Sequence, residues 1–483
     1  MMQFTHYTAP PPPPLHPNGA HGGSLGLGLF LDVVGAPRAA ASSARPWPGT
    51  TSFLTPASSK ISLGNLNSTS CMEQLLVHCA NAIEANDATL TQQILWVLNN
   101  IAPPDGDSNQ RLTAAFLCAL VARASRTGAC SKAVAAAVVA SAAGESAAAL
   151  HAHRFTAVEL ASFVDLTPWH RFGYTAANAA IVDAAEGFPV LHVVELGTTH
   201  CMQIPTLIDM LATRAEGPPI LRLTVADVAS ASTAAATPPP ALDMSYDELG
   251  AKLVNFARSR NVSMDFRVVP TSPADAFSSL VDQLRVQQLV SDGGAEALVV
   301  NCHMLLHAVP DETAGTVMLG LAAQQQQQAV SLRTMLLKSL RALEPNLLVV
   351  AEEDADFTAG DVVGRLRAAF NFLWIPYDAV DTFLPKGSEQ RRWYEAEVGW
   401  KVENVLAQEG VERVERQEDR GRWGQRMRGA GFRAVAFGEE AAGEVKAMLN
   451  EHAAGWGMKR EDDDLVLTWK GHNVVFTSAW APS

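Results

Sequence analysis

No two of the six cysteines stand in a C-x-x-C pair. Cys71, Cys79, Cys118, Cys130, Cys201 and Cys302 are scattered among apolar neighbours, which argues against a zinc site and for buried free thiols in a reducing compartment. Lysine and arginine form no long run, and 36 basic residues are outweighed by 50 acidic ones, for a formal charge of −14. That balance argues against a self-sufficient nucleic-acid binder, but not against reaching DNA through a basic partner. The N-terminus has no basic segment followed by an apolar signal core. The run Leu25–Val34 is too short to span a bilayer and contains Asp32. A soluble intracellular protein is therefore expected.

Glycine is also missing where a nucleotide site would need it. The stretch Val190 to Leu211 reads as a buried strand, a turn at Gly197 and a helix opening near Pro205. A phosphate- or nucleotide-binding turn would follow the strand-end acid with E-x-G-x-G-x-G, so that backbone and helix N-terminus approach the ligand. Here the pattern has become Glu195-Leu-Gly197-Thr-Thr199-His-Cys201. The architecture of a cofactor fold is kept, and two of its glycines are replaced.

What is present divides into three stretches. Residues 1–66, with the tract Pro10–Pro14 and abundant Gly, Ser and Ala, are expected to be a disordered leader, since they bury too little apolar surface to offset ordering entropy. Phe30, Leu31 and Val33 within it are either a short docking motif or an idle apolar patch. Helices are predicted from Ser70, where Ser70-Cys-Met-Glu73 fits a capping box, and they fill residues 67–188 as a leucine-rich cap. The cap serves core packing, partner binding or both. Residues 189–483 alternate strand and helix, predicting an α/β core with a mostly parallel sheet. Strand candidates are Val190–Glu195, Ile220–Ala226, Met264–Val269, Ala297–Asn301 and Leu347–Ala351, with helices Ser245–Arg260 and Leu332–Leu343 among the connections. Gln324–Gln328 is a low-complexity loop insert. Leu465–Lys470 and Val474–Trp480 form an antiparallel hairpin around Gly471-His-Asn473. A parallel sheet closed by such a hairpin is the layout of a Rossmann-like, methyltransferase-type fold, an analogy of fold only.

Taken in order, these segments resemble the GRAS family of plant transcriptional regulators, most closely its scarecrow-like branch, over Cys71 to Ser483. LLVHCANAIEAND is similar to the family's first leucine-rich region. Leu191-His-Val-Val-Glu195 resembles its VHIID motif, with Gln203, Pro205, Leu207 and Leu211 in the continuation. LVVNCHMLLHAVPDE (Leu298 to Glu312) resembles the segment after the second leucine-rich region. EGVERVERQEDRGRWGQRMRGAGF (Glu409 to Phe432) resembles the RVER element, and LVLTWKGHNVVFTSAW (Leu465 to Trp480) the SAW motif. Departures are Glu195 for the aspartate of VHIID, Cys201 and Ile204 for a glycine and a tryptophan, and Asn371-Phe-Leu-Trp-Ile-Pro376 in the PFYRE region. No DELLA-type motif is present. The resemblance implies a nuclear, non-enzymatic domain without a cofactor. It also implies pairing with other GRAS proteins and docking of sequence-specific DNA-binding factors, including zinc-finger proteins of the indeterminate-domain class, so that any DNA contact is indirect. Arg391-Arg392 and Lys459-Arg460 are too short to be import signals themselves.

Candidate site residues follow from position and chemistry. Glu195, Gly197 and Asp227 lie at strand ends, where a ribose or adenosylmethionine-like ligand would bind. The plainer reading is inherited carboxylates that cap helices or pair with arginine. They carry the alternative function, an adenosylmethionine-dependent methyltransferase or small-molecule receptor, against which the side chains of Thr198 to Cys201 obstruct backbone approach. His200, His303 and His307 lie near strand ends without metal or triad spacing, so structural roles are expected. Arg413, Glu415 and Arg416 alternate with Val411 and Val414, predicting a charged face over buried valines and a structural ion-pair network. Trp423, Trp456, Trp469 and Trp480 are expected in core or hairpin packing. A purely helical adaptor leaves the α/β half unexplained.

Overall fold

The computed structural model describes residues 68–135, 149–150, 152–228, 239–290, 296–312 and 331–483. The expected leader and the Gln324–Gln328 tract lie outside these residues. Among the described residues no helix is long and apolar enough to cross a membrane. All six cysteines are free thiols.

Four helices come first: Thr69–Glu84, Ala88–Ile101, Ser108–Ser125 and Gly128–Ala135. Side chains set their starts. Asp87 accepts from Leu90 N at 3.0 Å, and Asp107 forms a reciprocal box with Gln110. The predicted box at Ser70 and Glu73 does not form. Ser68 takes the cap position, its Oγ accepting from Cys71 N, which places Ser70 and Glu73 inside the first turns. Ala157–Val164 and Pro168–Ala184 follow. The latter is capped by Thr167, with Pro168 at a first position that needs no backbone donor.

The strands in chain order begin with β1 (Arg154–Phe155), β2 (Val190–Gly197), β3 (Ile220–Asp227) and β4 (Ala241–Leu242). Next come β5 (Met264–Pro270), β6 (Glu296–His303) and β7 (Leu347–Glu353). The last are β8 (Phe432–Val435), β9 (Trp456–Glu461), β10 (Asp464–Trp469) and β11 (His472–Pro482). β1 and β4 form a small parallel ladder of their own. The others make one nine-stranded sheet in the order β5-β3-β2-β6-β7-β11-β10-β9, with β8 paired to the far end of β11. From β5 to β7 the pairing is parallel, and from β7 onward antiparallel. The sheet is therefore mixed, with β8 and β9 joining the expected hairpin. Neither carries an apolar run: β9 is the half-exposed edge Trp456-Gly-Met-Lys-Arg-Glu461, and β8 has four residues.

β2 is apolar because both its faces are buried. Leu191 and Val193 join the core beneath the helices Pro168–Ala184 and Val362–Asp381. Val194 and Leu196 join the opposite core with Leu336, Trp423 and Phe476. Ser245 and Glu248 form the expected box at the head of Tyr246–Ser259, and the helix expected over Leu332–Leu343 runs Leu332–Arg341.

Candidate functional site

The strand order reverses between β2 and β6, so the crevice beyond their C-terminal ends is where an open α/β sheet binds ligands. Here the protein's own side chains occupy it. Glu195 is buried, and its Oε2 accepts from Asn301 Nδ2 at 2.6 Å. Asn301 donates also to Gln203 Oε1 at 2.9 Å, Gln203 to Asn178 Oδ1 at 2.9 Å, and Asn178 to Thr206 Oγ1 at 2.9 Å. The carboxylate folds back over Gly197. A β-carbon there would lie 2.5 Å from Glu195 Oε1, so this glycine makes room for the chain's own acid. Burial pushes the Glu195 carboxyl up to about 7, against the lowering effect of the Asn301 hydrogen bond. Asp227 ends β3 two residues beyond Val225, the register partner of Glu195, and is half-buried.

The helix Pro168–Ala184 closes the same crevice. Gly173 lets it descend onto β6 and β7, since a β-carbon there would meet His303 Cε1 at 2.8 Å and Ala351 Cβ at 2.9 Å. Tyr174 packs on the His303 ring with centroids 4.5 Å apart and bonds Thr199, while His170 Nδ1 lies 3.1 Å from His303 Nε2. Burial holds both histidines neutral, His170 down at about 3 and His303 well below its usual range. His200 contacts the Tyr246 hydroxyl at 3.3 Å from a left-handed backbone position.

His307 belongs to a second constellation, around the segment 413–418. That segment is irregular and wholly buried, contrary to the expected charged face, and Val411 rather than an arginine is exposed. Arg416 pairs with Asp311 at 3.0 Å, and its Nε and Nη2 donate to the carbonyls of Arg413 and Gly410. Arg413 donates to the Phe357 carbonyl at 3.3 Å, and burial, with Arg416 and Arg365 nearby, lowers it to about 9. Asn404 holds the backbone from above, Oδ1 accepting from Val414 N and Glu415 N and Nδ2 donating to the Glu412 carbonyl. Arg333 holds it from below through the carbonyls of His307, Val309 and Arg416, with Glu418 at 3.2 Å and the Trp423 ring centroid 5.2 Å away. Trp423, Trp469 and Trp480 are all buried. Trp469 donates to Asp378 at 2.7 Å and Trp480 to Ser478 at 2.8 Å.

Glu415 points from this segment toward a cavity of about 70 Å³ beyond the ends of β6 and β7. Its walls include Trp169, Tyr394 and Trp400 on the aromatic side, and Glu353, Glu397, Lys401 and Gln417 on the polar side. Lys401 contacts Glu353 and lies 3.9 Å from Glu415, while His307 Nδ1 lies 2.7 Å from Glu352. Burial works against both cations, but the glutamates prevail and hold Lys401 and His307 above their usual ranges. Burial raises Glu397 to about 7, with Lys401 opposing and Glu353 and Glu415 adding to it. Sequence reasoning missed Glu353, Glu397, Lys401 and Gln417. Glu353 sits on a strand pattern and Glu397 and Lys401 on a helical one with nothing local to mark them, Gln417 lies in the irregular segment itself, and only the fold brings the first three to Glu415 and His307. Glu195 and Asp227 do not line this cavity. Among the described residues no acid, histidine or cysteine group is arranged to hold a metal ion.

Comparison with known proteins places this architecture. Residues 72–481 match the GRAS domain family. Scarecrow-like protein 32 of Arabidopsis thaliana is 55% identical over 415 residues, covering 85% of this chain and 93% of that protein. Protein SHORT-ROOT of A. thaliana is 30% identical over 423 residues, covering 85% and 73% respectively. The crystal structure of SCL7 from Oryza sativa matches with a TM-score of 0.63 over 85% of this chain and 99% of that one. At 21% identity that likeness speaks to fold alone. The chain belongs to the GRAS domain family.

Proposed function

We propose that this protein is a nuclear, non-enzymatic transcriptional regulator acting as a scaffold, which pairs with other GRAS proteins and docks sequence-specific DNA-binding factors, zinc-finger proteins of the indeterminate-domain class among them. The observation that carries the reading is the occupied crevice. Where a methyltransferase-type sheet would hold adenosylmethionine, Glu195 lies over Gly197, and Tyr174 and His170 pack from the helix side onto His303. The adjoining cavity of about 70 Å³ is well below the roughly 300–1,000 Å³ of pockets that take drug-sized ligands. The order β5-β3-β2-β6-β7-β11, with β11 antiparallel beside β7, supports the methyltransferase-type reading of the fold itself. The acidic chain suits basic zinc-finger partners by electrostatic steering.

Calorimetric titration of the full chain with adenosylmethionine and adenosylhomocysteine tests the choice between scaffold and enzyme. No heat is expected from either. Micromolar binding that Glu195→Ala abolishes would overturn the scaffold reading in favour of a methyltransferase or receptor. A gel shift tests recruitment: the chain alone shifts target DNA weakly, and strongly once the zinc-finger partner is added. Failure to join that complex counts against docking.

A further inference from the structure

The polar wall of the cavity beside β7 is not satisfied by the protein. Gln417 is fully buried and lines the cavity, yet neither its Oε1 nor its Nε2 has a hydrogen-bond partner. Glu353 Oε2 and Glu415 Oε2, on side chains of the same wall, are buried and lack hydrogen bonds as well. Glu353 uses only Oε1, which accepts from Trp169 Nε1 at 3.0 Å and from Lys401. Buried polar atoms are nearly always paired, so three acceptors and one donor left unpaired on residues that line one cavity point to a further partner. The count favours a donor-rich guest.

Charge points the same way. Glu352, Glu353, Glu397 and Glu415 surround Lys401 and His307, and burial raises Glu397 to about 7 and raises Glu415 as well, so the cluster is short of positive charge. Uncompensated negative charge away from water is costly. The lining also includes Trp169, Tyr394 and Trp400, aromatic side chains of the kind that attract cations. A metal ion does not fit this donor set, because no group among the described residues converges closely enough to ligate one. A volume of about 70 Å³ corresponds to roughly two waters, the size of a cationic head group.

We propose that this cavity is a binding site for a small organic cation, an alkylammonium or guanidinium head bearing several N–H donors, held between the aromatic wall and Glu353, Glu397, Glu415 and Gln417. The head arrives either on a free small molecule or on a lysine or arginine side chain of a partner. The cavity adjoins the Glu195 crevice, with His170 and Thr198 in its lining, and binding there is independent of whether the protein scaffolds transcription.

The test is titration of the full chain with ethylammonium chloride and with guanidinium chloride at millimolar concentrations. Calorimetry and tryptophan fluorescence are the readouts, at ionic strength fixed with sodium chloride. The peptides Gly-Lys-Gly and Gly-Arg-Gly form the second arm. Saturable heat with a fluorescence change from Trp169 or Trp400 is expected, with affinity reduced at least tenfold in Glu397→Gln. That half-buried, isosteric change leaves the Glu353–Lys401 pair in place. Binding of a peptide but not of the free cations assigns the head to a partner's side chain. Absence of saturable binding in both arms, or binding unchanged in both Glu397→Gln and Glu415→Gln, overturns the proposal and leaves the cavity to water. Neither result bears on recruitment in the gel shift, so failure of this site and failure of the scaffold reading are distinguishable.

Discussion

Arg416 and Asp311 have side chains only 2% exposed each and lie 3.0 Å apart, so removing one leaves the other charged and without solvent. Breaking such a pair by truncation costs about 3–5 kcal/mol. Arg416→Ala also frees the carbonyls of Arg413 and Gly410. The unfolding free energy of this variant, read from urea titration, is expected to fall by an amount in that range, and an unchanged midpoint would refute the structural role. Glu195 gives a test of opposite character, in pH. Its carboxyl is raised to about 7 in the folded protein, against about 4.3 when unfolded. Between those values the unfolded chain ionises Glu195 and the folded chain does not, so stability declines as pH rises through this window and is level above it. Glu195→Gln removes this one contribution, which amounts to roughly 4 kcal/mol at most. Its stability relative to the parent protein should therefore rise from pH 5 to pH 8. Any constant cost of the new amide cancels in that difference, as does the slope from Glu397. Parallel profiles would show that Glu195 is not protonated in the fold.

β11 pairs with β7 along Val475–Trp480 and with β10 and β8 on its other side, so it joins the parallel half of the sheet to the antiparallel half. Truncation before Leu465 removes β10 and β11 together, uncovers β7 and takes Trp469 and Trp480 from the cores. Such a chain is expected to show no cooperative melting in circular dichroism, and a soluble product with a sharp transition would contradict this. These two strands were legible in sequence for the reason they matter: each is a continuous apolar run with a tight turn between them. β2, β3, β6 and β7 were legible likewise, with ends one or two residues short, because strand-end residues such as Gly197 and His303 carry no apolar signal. β8 and β9 were not legible, being too short or too charged. The segment 413–418 misled in another way. Alternation of Arg and Val normally means one wet face, but here Asp311 and Arg333 from distant parts of the chain, with Asn404 and Lys401 from the preceding helix, make a dry interior acceptable for charge. Spacing within the segment does not encode those partners, so the Glu415–Lys401–Glu397 cluster was unreadable although Glu415 itself was picked out.

At the scale of the whole molecule, the N-terminal helices are not closed by one another. The helix Ser108–Ser125 lies against Val362–Asp381 and Glu389–Ala407, which come from the far half of the sequence. Arg111 bonds Glu395 at 3.0 Å and Asp381 at 2.7 Å, and Phe116 meets Phe370 edge-to-face at 5.3 Å. Further along, Arg123 and Arg126 donate to the carbonyls of Leu406 and Ala407, at the end of the second of those helices. Arg111 is buried, so separation from residues 362–407 would leave a guanidinium without its carboxylates and a leucine-rich face without its cover. A fragment of residues 67–188, though a contiguous helical block in sequence, is for this reason expected to retain helix content without melting cooperatively. The intact chain is expected to unfold in one calorimetric transition, with calorimetric and van't Hoff enthalpies in a ratio of about one. Two resolved transitions, or a sharp melt of the isolated fragment, would show instead that the helical block folds on its own and that its arginine contacts to the C-terminal helices hold together two separately stable units.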